Sequence, residues 1–420
     1  MMTTMTTLTS ASTATALWFW WIWFCWIYGS IVAAVMLVIV VNATLGLHTI
    51  PNLSLPEWDI WPEGVPGKHP RLTVIVPALN EQEAIGACLG SFLEQDYDNL
   101  EVIAVNDRST DATGEIMEKL RAAVARPHSA AALDFKVLHI ENLPAGWLGK
   151  PHAMGKAAAV ATGEWLLFTD ADVMFRSDSL RRAVAYAESE RADHLVLAPT
   201  MLALTVGERM MTAMIQLAMI GLRPWKVRDP RSKAFIGWGA FNLVRRRAYE
   251  GIGTMEALRL QVVEDMEFGR RIKRAGFASR FATGPELVQI RWGRGALGPV
   301  RNLTKNAYAA LGFRWWLALA LVAAVLAFHV APFVFVFVAP GWAKLGFAIE
   351  LAGLFWIYVR LRKMYNINPA YFLLNPIAGL LMAYAMLLSL VVTLRQGGII
   401  WRGTKYSMDE LRRASPKLWE

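Results

Sequence analysis

The sequence predicts a membrane-attached α/β protein, with a mainly parallel β-sheet covered by helices on both faces and transmembrane helices at both ends. Three observations lead to this prediction. Hydrophobic residues make up 55% of the 420 residues and charged residues only 18%, whereas a soluble domain averages about 25% charged residues. Uncharged apolar runs long enough to span a bilayer occur near both ends. Between them, short apolar runs alternate with helical patterns, which is typical of parallel strands joined by crossover helices.

Residues 17–45 are predicted to form an N-terminal transmembrane anchor. The run at residues 17–41 carries no charge, and about 20 apolar residues suffice to cross a bilayer as a helix. A cleaved signal peptide would have an apolar region of about 7–15 residues after a basic start, but the first Lys or Arg here is Lys68. The positive-inside rule then places the N-terminus outside and the Lys68 side in the cytoplasm. Residues 1–16, rich in Thr, Ser and Ala, are predicted to be an unstructured tail.

Residues 314–394 are predicted to form a C-terminal membrane region. It contains apolar stretches at residues 315–338, 342–359 and 374–394, each close to the length of a span. The tail that follows, residues 395–420, is basic and favours a cytoplasmic end. Four complete spans that start outside would also end outside. One stretch is therefore expected to be re-entrant or interfacial, and the protein is expected to be a multi-pass protein of the cell membrane.

Residues 68–313 are predicted to form a cytoplasmic α/β domain. The predicted strands lie at residues 72–76, 102–105, 136–139 and 165–169, and the predicted helices at residues 83–95, 112–125, 152–161 and 180–188. In such sheets, ligands bind beyond the carboxyl ends of the strands. The chain has only two cysteines, so neither a disulfide framework nor a cysteine metal site is expected.

Polar side chains follow the first two predicted strands. Asn80 and Glu81 come after the first strand, and Asp107 ends the second. Helix capping is the alternative explanation for Asn80, Ser109 and Asp111, because these residue types commonly cap helix N-termini. Capping explains Asp107 less well, since it lies before the cap position. We therefore expect a ligand at this edge of the sheet.

Asp170 and Asp172 follow the fourth predicted strand. Carboxylates two residues apart can point to the same side, and Mg²⁺ or Mn²⁺ is held in proteins by one or two carboxylates plus phosphate oxygens of the substrate. The alternative is a solvated turn with one capping aspartate. A divalent metal site is favoured because Asp107 occupies the matching place on another strand.

Lys150 is the next candidate, at the end of a loop that contains Gly146 and Gly149. A helix is predicted to begin near Pro151, so a phosphate at this point would meet both an ammonium group and free backbone N–H groups. The alternative is a solvent-exposed lysine. His152 is interpreted as structural, because no second His or Cys lies at metal-ligand spacing.

Two further candidates lie in the second half of the domain. Asp265 could act as a general base toward an acceptor hydroxyl, although an acidic start and a basic end are also ordinary features of a helix. Arg291 and Trp292 could clamp a phosphate and cover it with an aromatic ring. The alternative for this pair is a basic and aromatic cluster that contacts lipid headgroups.

Taken in order, these motifs resemble those of family 2 glycosyltransferases with the GT-A fold. The resemblance runs from Arg71 to about Lys305 and rests on Pro77-x-x-Asn80-Glu81, Asn106-Asp107-x-Ser109-x-Asp111, Asp170-x-Asp172 and Glu264-Asp265. The run from Gly146 to Asp172 is most similar to lipid-directed members, which include hopene-associated, carotenoid-directed and ceramide glucosyltransferase-like enzymes. The ending Trp401-Arg402-Gly403-x-x-Tyr406 is also similar to theirs.

The resemblance implies a Rossmann-like mixed sheet and a set of roles. Asn80, Glu81 and Asp107 would bind the donor, the last two through its nucleoside. Asp170 and Asp172 would hold a divalent metal on the donor diphosphate.

Lys150 would lie close to that metal site, and Asp265 would take the proton of the acceptor hydroxyl. The family signature Gln-x-x-Arg-Trp is one residue short here and reads Gln289-x-Arg291-Trp292. The shortening argues against a processive polysaccharide synthase, while Arg291 and Trp292 are still expected near the diphosphate.

The function expected from the sequence is therefore an inverting, metal-dependent transfer of a sugar from a nucleotide-sugar, expected to be a UDP-sugar, to a hydroxyl of a membrane lipid. The enzyme alternatives are a polyprenyl-phosphate glycosyltransferase and a polysaccharide synthase. The non-enzyme alternative is a nucleotide-binding membrane transporter or scaffold. Transporters carry their binding residues near the bilayer midplane, whereas the carboxylates here cluster in the soluble region. Nucleic acid is not expected as a partner, because the basic residues concentrate near the membrane segments.

Overall fold

The fold is that of a computed structural model, which describes residues 5–59, 61, 69–125, 133–401 and 403–414. The predicted domain boundary at Lys68 lies outside the described residues. So do Arg402 and residues 415–420 of the predicted basic tail.

The strands form one large mixed sheet and two small ones. They are β1 (Leu72–Ala78), β2 (Leu100–Asp107), β3 (Asp134–Ile140), β4 (Trp165–Phe168), β5 (Val173–Phe175), β6 (His194–Ala198), β7 (Thr200–Met201), β8 (Asn242–Arg245), β9 (Ser279–Thr283), β10 (Val288–Ile290), β11 (Gly398–Trp401) and β12 (Thr404–Ser407). The large sheet has the order β3-β2-β1-β4-β8-β6-β9. Its pairs are parallel except at β8, which runs antiparallel to both neighbours. The prediction of a mixed, mainly parallel sheet is confirmed.

The helices are α1 (Met5–Leu47), α2 (Ile85–Leu93), α3 (Thr113–Val124), α4 (Gly149–Val160), α5 (Ser179–Ser189), α6 (Val206–Gly221), α7 (Arg246–Gly251), α8 (Glu264–Arg274), α9 (Leu297–Ala310), α10 (Trp315–His329), α11 (Ala331–Val338), α12 (Lys344–Tyr365), α13 (Asn375–Gln396) and α14 (Met408–Ala414). The predicted strands and helices of the first half of the domain coincide with β1 to β4 and α2 to α5, to within a few residues at their ends.

Helices cover both faces of the large sheet, because alternate residues of its buried strands point to opposite sides. Val74 and Val76 of β1 pack in one core with α2 and α5. Ile75, between them, packs in a second core with α4 and α8. The strands are thus apolar on both faces, as expected for parallel strands buried between two helix layers.

Helices long and apolar enough to cross a membrane lie, within the described part of the chain, at Ala16–Leu47, Gly341–Arg362 and Pro369–Gln396. A fourth span exists only if α10 and α11, which meet at an angle of 45°, are counted as one. The helix is interrupted at Val330, just before Pro332, because proline lacks a backbone N–H and clashes with the preceding turn. The apolar stretch at residues 315–338 is therefore the one that departs from a straight span.

The predicted unstructured tail at residues 1–16 needs correction, because α1 already begins at Met5. The apolar run supplies the costly helix nucleus, and each further residue then adds one hydrogen bond. Alanine, which is frequent in this stretch, has the highest helix propensity. The helix therefore continues through residues that would not form one alone.

The membrane helices are joined to the α/β domain by packing and hydrogen bonds. Helix α9 packs along α13, and the Tyr308 N–H donates a hydrogen bond of 3.0 Å to the Ser389 hydroxyl. After α13 the chain forms the hairpin β11–β12 and helix α14. Ile399, Tyr406 and Leu411 of this C-terminal hairpin and helix are buried in an apolar cluster with Leu148 of the α/β domain. The end of the chain therefore folds back onto the domain.

Candidate active site

The site is built where β1 and β2 end, and sharp turns shape this edge. Asn80 and Arg108 follow the two strands in left-handed backbone conformation, with φ of 56° and 61°. The Asn80 side-chain oxygen accepts a hydrogen bond of 2.8 Å from the Thr110 N–H, and Asp111 accepts one of 3.2 Å from the Gln82 N–H. The two loops are therefore hydrogen-bonded to each other, and the Asn80 side chain stabilises the shape of this edge.

Asp107 is a buried carboxylate with a defined partner. Only 1% of the residue is exposed, and its two oxygens accept hydrogen bonds of 2.8 and 3.1 Å from the Arg108 guanidinium. Gly149, at the start of α4, lies directly against this pair. A Cβ atom at position 149 would lie 2.6 Å from Asp107 Oδ2 and 2.7 Å from Arg108 Nη2. This close approach brings Asp107 against the segment that carries Lys150. Arg108, the partner of Asp107, was not predicted from the sequence.

Lys150 lies at the centre of the site, inside the first turn of α4. Its Nζ atom is 2.5 Å from Asp170 Oδ1 and 2.6 Å from Glu264 Oε1. Burial alone would lower the pKa of Lys150, but the negative charges of Asp170, Glu264 and Asp265 raise that pKa above its ordinary value. The ammonium group is therefore charged at neutral pH. Sequence reasoning missed Glu264 as its partner.

Asp265 begins α8 beside this cation. Its Oδ2 accepts a hydrogen bond of 3.0 Å from the Gly239 N–H, and its Oδ1 accepts one of 2.7 Å from the Met266 N–H. Burial and the neighbouring Glu264 raise the pKa of Asp265 to about 7, although Lys150 opposes the change. A carboxylate with a pKa near the working pH is suited to accept and release a proton.

The segment Ile236–Ala240, with the sequence Ile-Gly-Trp-Gly-Ala, forms a glycine loop against these groups. A Cβ atom at position 239 would lie 2.5 Å from Asp170 Oδ2 and 3.2 Å from Lys150 Nζ, and one at position 237 would lie 1.7 Å from the Asp265 carbonyl oxygen. The Thr169 hydroxyl donates a hydrogen bond of 2.8 Å to the Ala240 carbonyl. This loop was missed from the sequence, where the only signal was a Gly-Trp-Gly triplet just before β8.

Asp170 and Asp172 lie at the open side of the cleft. The Asp170 side chain is 40% exposed, and Asp172 is exposed. Among the described residues, no group of three or more His, Cys, Asp or Glu side chains is close enough to hold a metal ion. Two carboxylates at a solvent-facing edge nevertheless fit a hard cation that takes its other ligands from substrate and water. A cation at this place would depend on a bound phosphate for its coordination.

The segment that carries Arg291 and Trp292 runs beside these aspartates. Strands β5 and β10 are antiparallel, with Ile290 opposite Val173, so Arg291 follows β10 at the point where Asp172 precedes β5. Arg291 Nη2 is 2.9 Å from Glu208 Oε1. This pairing and the Gly295 N–H lower the pKa of Glu208 to about 2.

Arg291 was predicted to contact the donor, but in the structure its side chain already has another partner. Its guanidinium is already paired with Glu208, and Nε is buried and has no hydrogen-bond partner in the described part of the chain. Trp292 is partly buried and packs against both the sheet core and the core of the membrane helices. His152 is buried beside Trp147, with ring centroids 5.5 Å apart, and neither of its ring nitrogens has a hydrogen-bond partner in the described part of the chain.

A mixed, mainly parallel sheet with an acidic cleft at its strand ends is a fold of the GT-A type. Residues 73–253 match the family model described as "Glycosyl transferase family 2". With the ordered motifs on β1, β2 and β4, this match shows that the α/β region of the chain is similar to glycosyl transferase family 2.

Curated relatives include a 4,4'-diaponeurosporenoate glycosyltransferase of Staphylococcus aureus strain MRSA252, which is 26% identical over 203 residues. The match covers 48% of this chain and 51% of the relative, so the chain spans about half the length of the curated relatives it matches. The same enzyme from strain USA300 gives the same identity and coverage.

Solved structures with a similar arrangement include a mannosyltransferase, PcManGT, from Pyrobaculum calidifontis in complex with GDP-Man and Mn²⁺. It is 20% identical, with a TM-score of 0.49, over 87% of this chain and 99% of the other. The Staphylococcus aureus TarS fragment 1–349 in complex with UDP-GlcNAc is 18% identical, with a TM-score of 0.39, over 80% of this chain and 95% of the other.

Proposed function

We propose that the protein transfers a sugar from a nucleotide-sugar to a hydroxyl group of a membrane lipid, with inversion at the anomeric carbon. The donor is a nucleotide-sugar, expected to be a UDP-sugar, and the acceptor comes from the bilayer in which the helices lie. The match of residues 73–253 to the model of glycosyl transferase family 2 supports the reaction class. The cluster of Lys150 and its acidic neighbours supports the proposal that the donor diphosphate binds at this end of the cleft.

One observation carries the lipid acceptor: the candidate base lies next to the contact between the α/β domain and the membrane helices. Leu260 and Val262, just before Asp265, are buried in one apolar cluster with Ala318 of α10 and Leu390 of α13. A lipid that lies beside these helices therefore needs only a short approach to reach Asp265. A soluble acceptor would not require the base to lie beside the membrane helices.

In the proposed reaction Asp265 accepts the proton of the acceptor hydroxyl as its oxygen attacks the anomeric carbon. The new carbon–oxygen bond forms while the bond from that carbon to the donor diphosphate breaks, and the nucleoside diphosphate leaves with the electron pair. A single base and a good leaving group suffice for one displacement, which inverts the anomeric centre. The pKa of about 7 at Asp265 favours a hydroxyl acceptor, because a phosphate acceptor is already an anion and needs no base.

Lys150 is proposed to stabilise the charge that develops on the departing diphosphate. It is a preorganised cation, held by Asp170 and Glu264 at 2.5 and 2.6 Å, so little reorganisation is needed when charge moves toward it. Asp170 and Asp172 would hold Mg²⁺ or Mn²⁺. That ion, when bound, supplies a Lewis acid for the same diphosphate. Glu81 and Asp107 are proposed to contact the nucleoside.

The site is proposed to face the cytoplasm in a multi-pass membrane protein. The first basic residues of the chain follow α1, and more follow α13, so the positive-inside rule places the α/β domain on that side. The helices that are long and apolar enough to span a membrane support the proposal that the protein is attached to one.

The test is to incubate membranes that contain the full chain with a panel of radiolabelled UDP- and GDP-sugars. Label should enter the organic phase with one donor, and membranes with the Asp265→Asn variant at equal protein level should lack it. Mass spectrometry of the labelled lipid then identifies the acceptor, including a polyprenyl phosphate if that is the product. Label released only as free sugar or incorporated into a water-soluble polymer would contradict the proposal.

A further inference from the structure

The C-terminal hairpin reaches the segment that carries Lys150. The Tyr406 hydroxyl donates a hydrogen bond of 2.9 Å to the carbonyl of Trp147. Tyr406 is 4% exposed, and its ring packs in an apolar cluster with Leu148. One residue of the tail therefore contacts both Trp147 and Leu148, immediately before the start of α4 at Gly149.

The hairpin is itself fixed to the membrane helices. It follows α13 after a left-handed residue, Gly397, and the Met408 N–H donates a hydrogen bond of 3.0 Å to the Gly397 carbonyl. Arg412 donates a hydrogen bond of 3.1 Å to the carbonyl of Phe313, at the junction of α9 and α10. Tyr406 is thus held from the membrane side and not by the α/β domain alone.

Besides the bond from Tyr406, other contacts hold the residues at the start of α4. The Leu148 N–H donates a hydrogen bond of 2.7 Å to the Arg259 carbonyl, and Gly149 is pressed against Asp107 and Arg108. A cavity of about 460 Å³ lies between the hairpin and the loop before this segment, with Arg108 and Tyr406 in its wall. The cavity leaves the loop without packing on that side, and Tyr406 supplies a hydrogen bond at the end of the loop.

We propose that Tyr406 is a positioning residue for the donor site, which orders the segment from Trp147 to Lys150 and so couples donor affinity to the C-terminal hairpin. This inference rests on the proposed function, because it takes the Lys150 end of the cleft as the place of the donor diphosphate. Tyr406 does not touch that place. It acts through the Trp147 carbonyl and the Leu148 side chain.

Tyr308 offers a matched control within the same apolar cluster. It is 1% exposed, and its hydroxyl donates a hydrogen bond of 2.8 Å to the Phe313 carbonyl. Among the described residues, no hydrogen bond joins Tyr308 to the segment before Lys150. Tyr406→Phe and Tyr308→Phe each keep the ring and remove one buried hydroxyl bond. Equal effects on folding are therefore expected, with different effects at the donor site.

The experiment compares the two variants as full-length proteins in detergent. Tyr406→Phe should raise the donor KM and weaken UDP binding about three- to tenfold, the range expected for the loss of one hydrogen bond, while the acceptor KM stays within twofold. Hydrogen exchange of the amides at residues 145–149 should become faster in Tyr406→Phe and stay unchanged in Tyr308→Phe. Equal donor KM, UDP affinity and amide exchange in the two variants would overturn the proposal.

The exchange measurement separates this inference from the proposed function. If wild-type protein transfers no sugar but the amides at residues 145–149 exchange faster only in Tyr406→Phe, the reaction is wrong and the ordering role stands. If transfer occurs and neither variant differs from wild type in donor KM, the reaction stands and the role of Tyr406 is wrong.

Discussion

The Lys150 ammonium lies 2.6 Å from the Glu264 carboxylate and so joins the first turn of α4 to the first turn of α8. The two helices come from distant parts of the chain and pack on the same face of the large sheet. This ion pair brings Lys150, at the proposed donor end of the cleft, next to Asp265, at the proposed acceptor end. The predictions below test the roles proposed for these groups and their neighbours.

Replacing Asp265 with Asn should abolish sugar transfer while donor binding is retained. The amide keeps the shape of the side chain but cannot take the proton of a hydroxyl, so turnover should fall by about 100-fold or more. UDP affinity, measured by calorimetry, should stay near that of wild type. Transfer at the wild-type rate in this variant would remove Asp265 from the role of base.

The rate of transfer should depend on pH through Asp265. The base works only in its deprotonated form, so kcat/KM for the acceptor should fall as the pH drops below the Asp265 pKa of about 7. A profile of initial rates between pH 5 and 9 in constant ionic strength checks this. A flat profile across that range would contradict a base of this pKa.

Replacing Glu264 with Gln should move that profile to lower pH. The negative charge of Glu264 raises the Asp265 pKa, so its removal should shift the acid limb downward by about one pH unit. Lys150 also loses a partner at 2.6 Å, and the maximal rate should fall as well. If the acid limb of the pH–rate profile stayed at the same pH while the maximal rate fell, Glu264 would act only on Lys150.

Replacing Gly239 with Ala should disable the site without unfolding the protein. The new methyl group would lie 2.5 Å from Asp170 Oδ2, so Asp170 or the glycine loop must move, and a displacement of about 1 Å in such a site can cost about 100-fold in rate. Gly90→Ala in α2 is the control, because no atom lies within 4 Å of the added methyl group. That control should match wild type in rate and be at least as stable, as measured by thermal unfolding.

Replacing Asp172 with Asn should raise the metal requirement. If Asp170 and Asp172 share a divalent ion with the donor diphosphate, the Mn²⁺ concentration for half-maximal transfer should increase about tenfold or more. Wild-type protein treated with a chelator should lose transfer and regain it with Mg²⁺ or Mn²⁺. Full activity of chelated wild-type protein would exclude the metal role of this pair.

The fold was largely predictable because its signals are local. Strands such as β4 are short, wholly apolar and followed by polar residues, so their type and end can be predicted from the local sequence alone. The candidate site could be proposed from the sequence because Asp107, Asp170 and Asp172 lie at the ends of such strands and Asp265 lies in the first turn of a predicted helix. Partners distant in sequence could not be predicted, because no local pattern pairs Lys150 with Glu264.

The remaining differences also have physical causes. The start of α1 at Met5 depends on extension from an apolar helix nucleus, which the composition of residues 1–16 does not show. The pairing of Arg291 with Glu208 depends on how β10 is placed beside α6, and the hydrogen bond of Tyr406 depends on the return of the tail to the domain. These contacts join residues that are distant in sequence, so the local sequence around each residue does not reveal them.

Under the proposed function, the apolar cluster of Val262, Ala318 and Leu390 also bears on the choice of acceptor. Because α10 and α13 pack with the loop before Asp265, the carboxylate would keep a constant distance from the membrane surface. The acceptor would then be selected by the depth of its hydroxyl group in the leaflet. Lipids of quite different skeletons but equal hydroxyl depth should compete for the same enzyme.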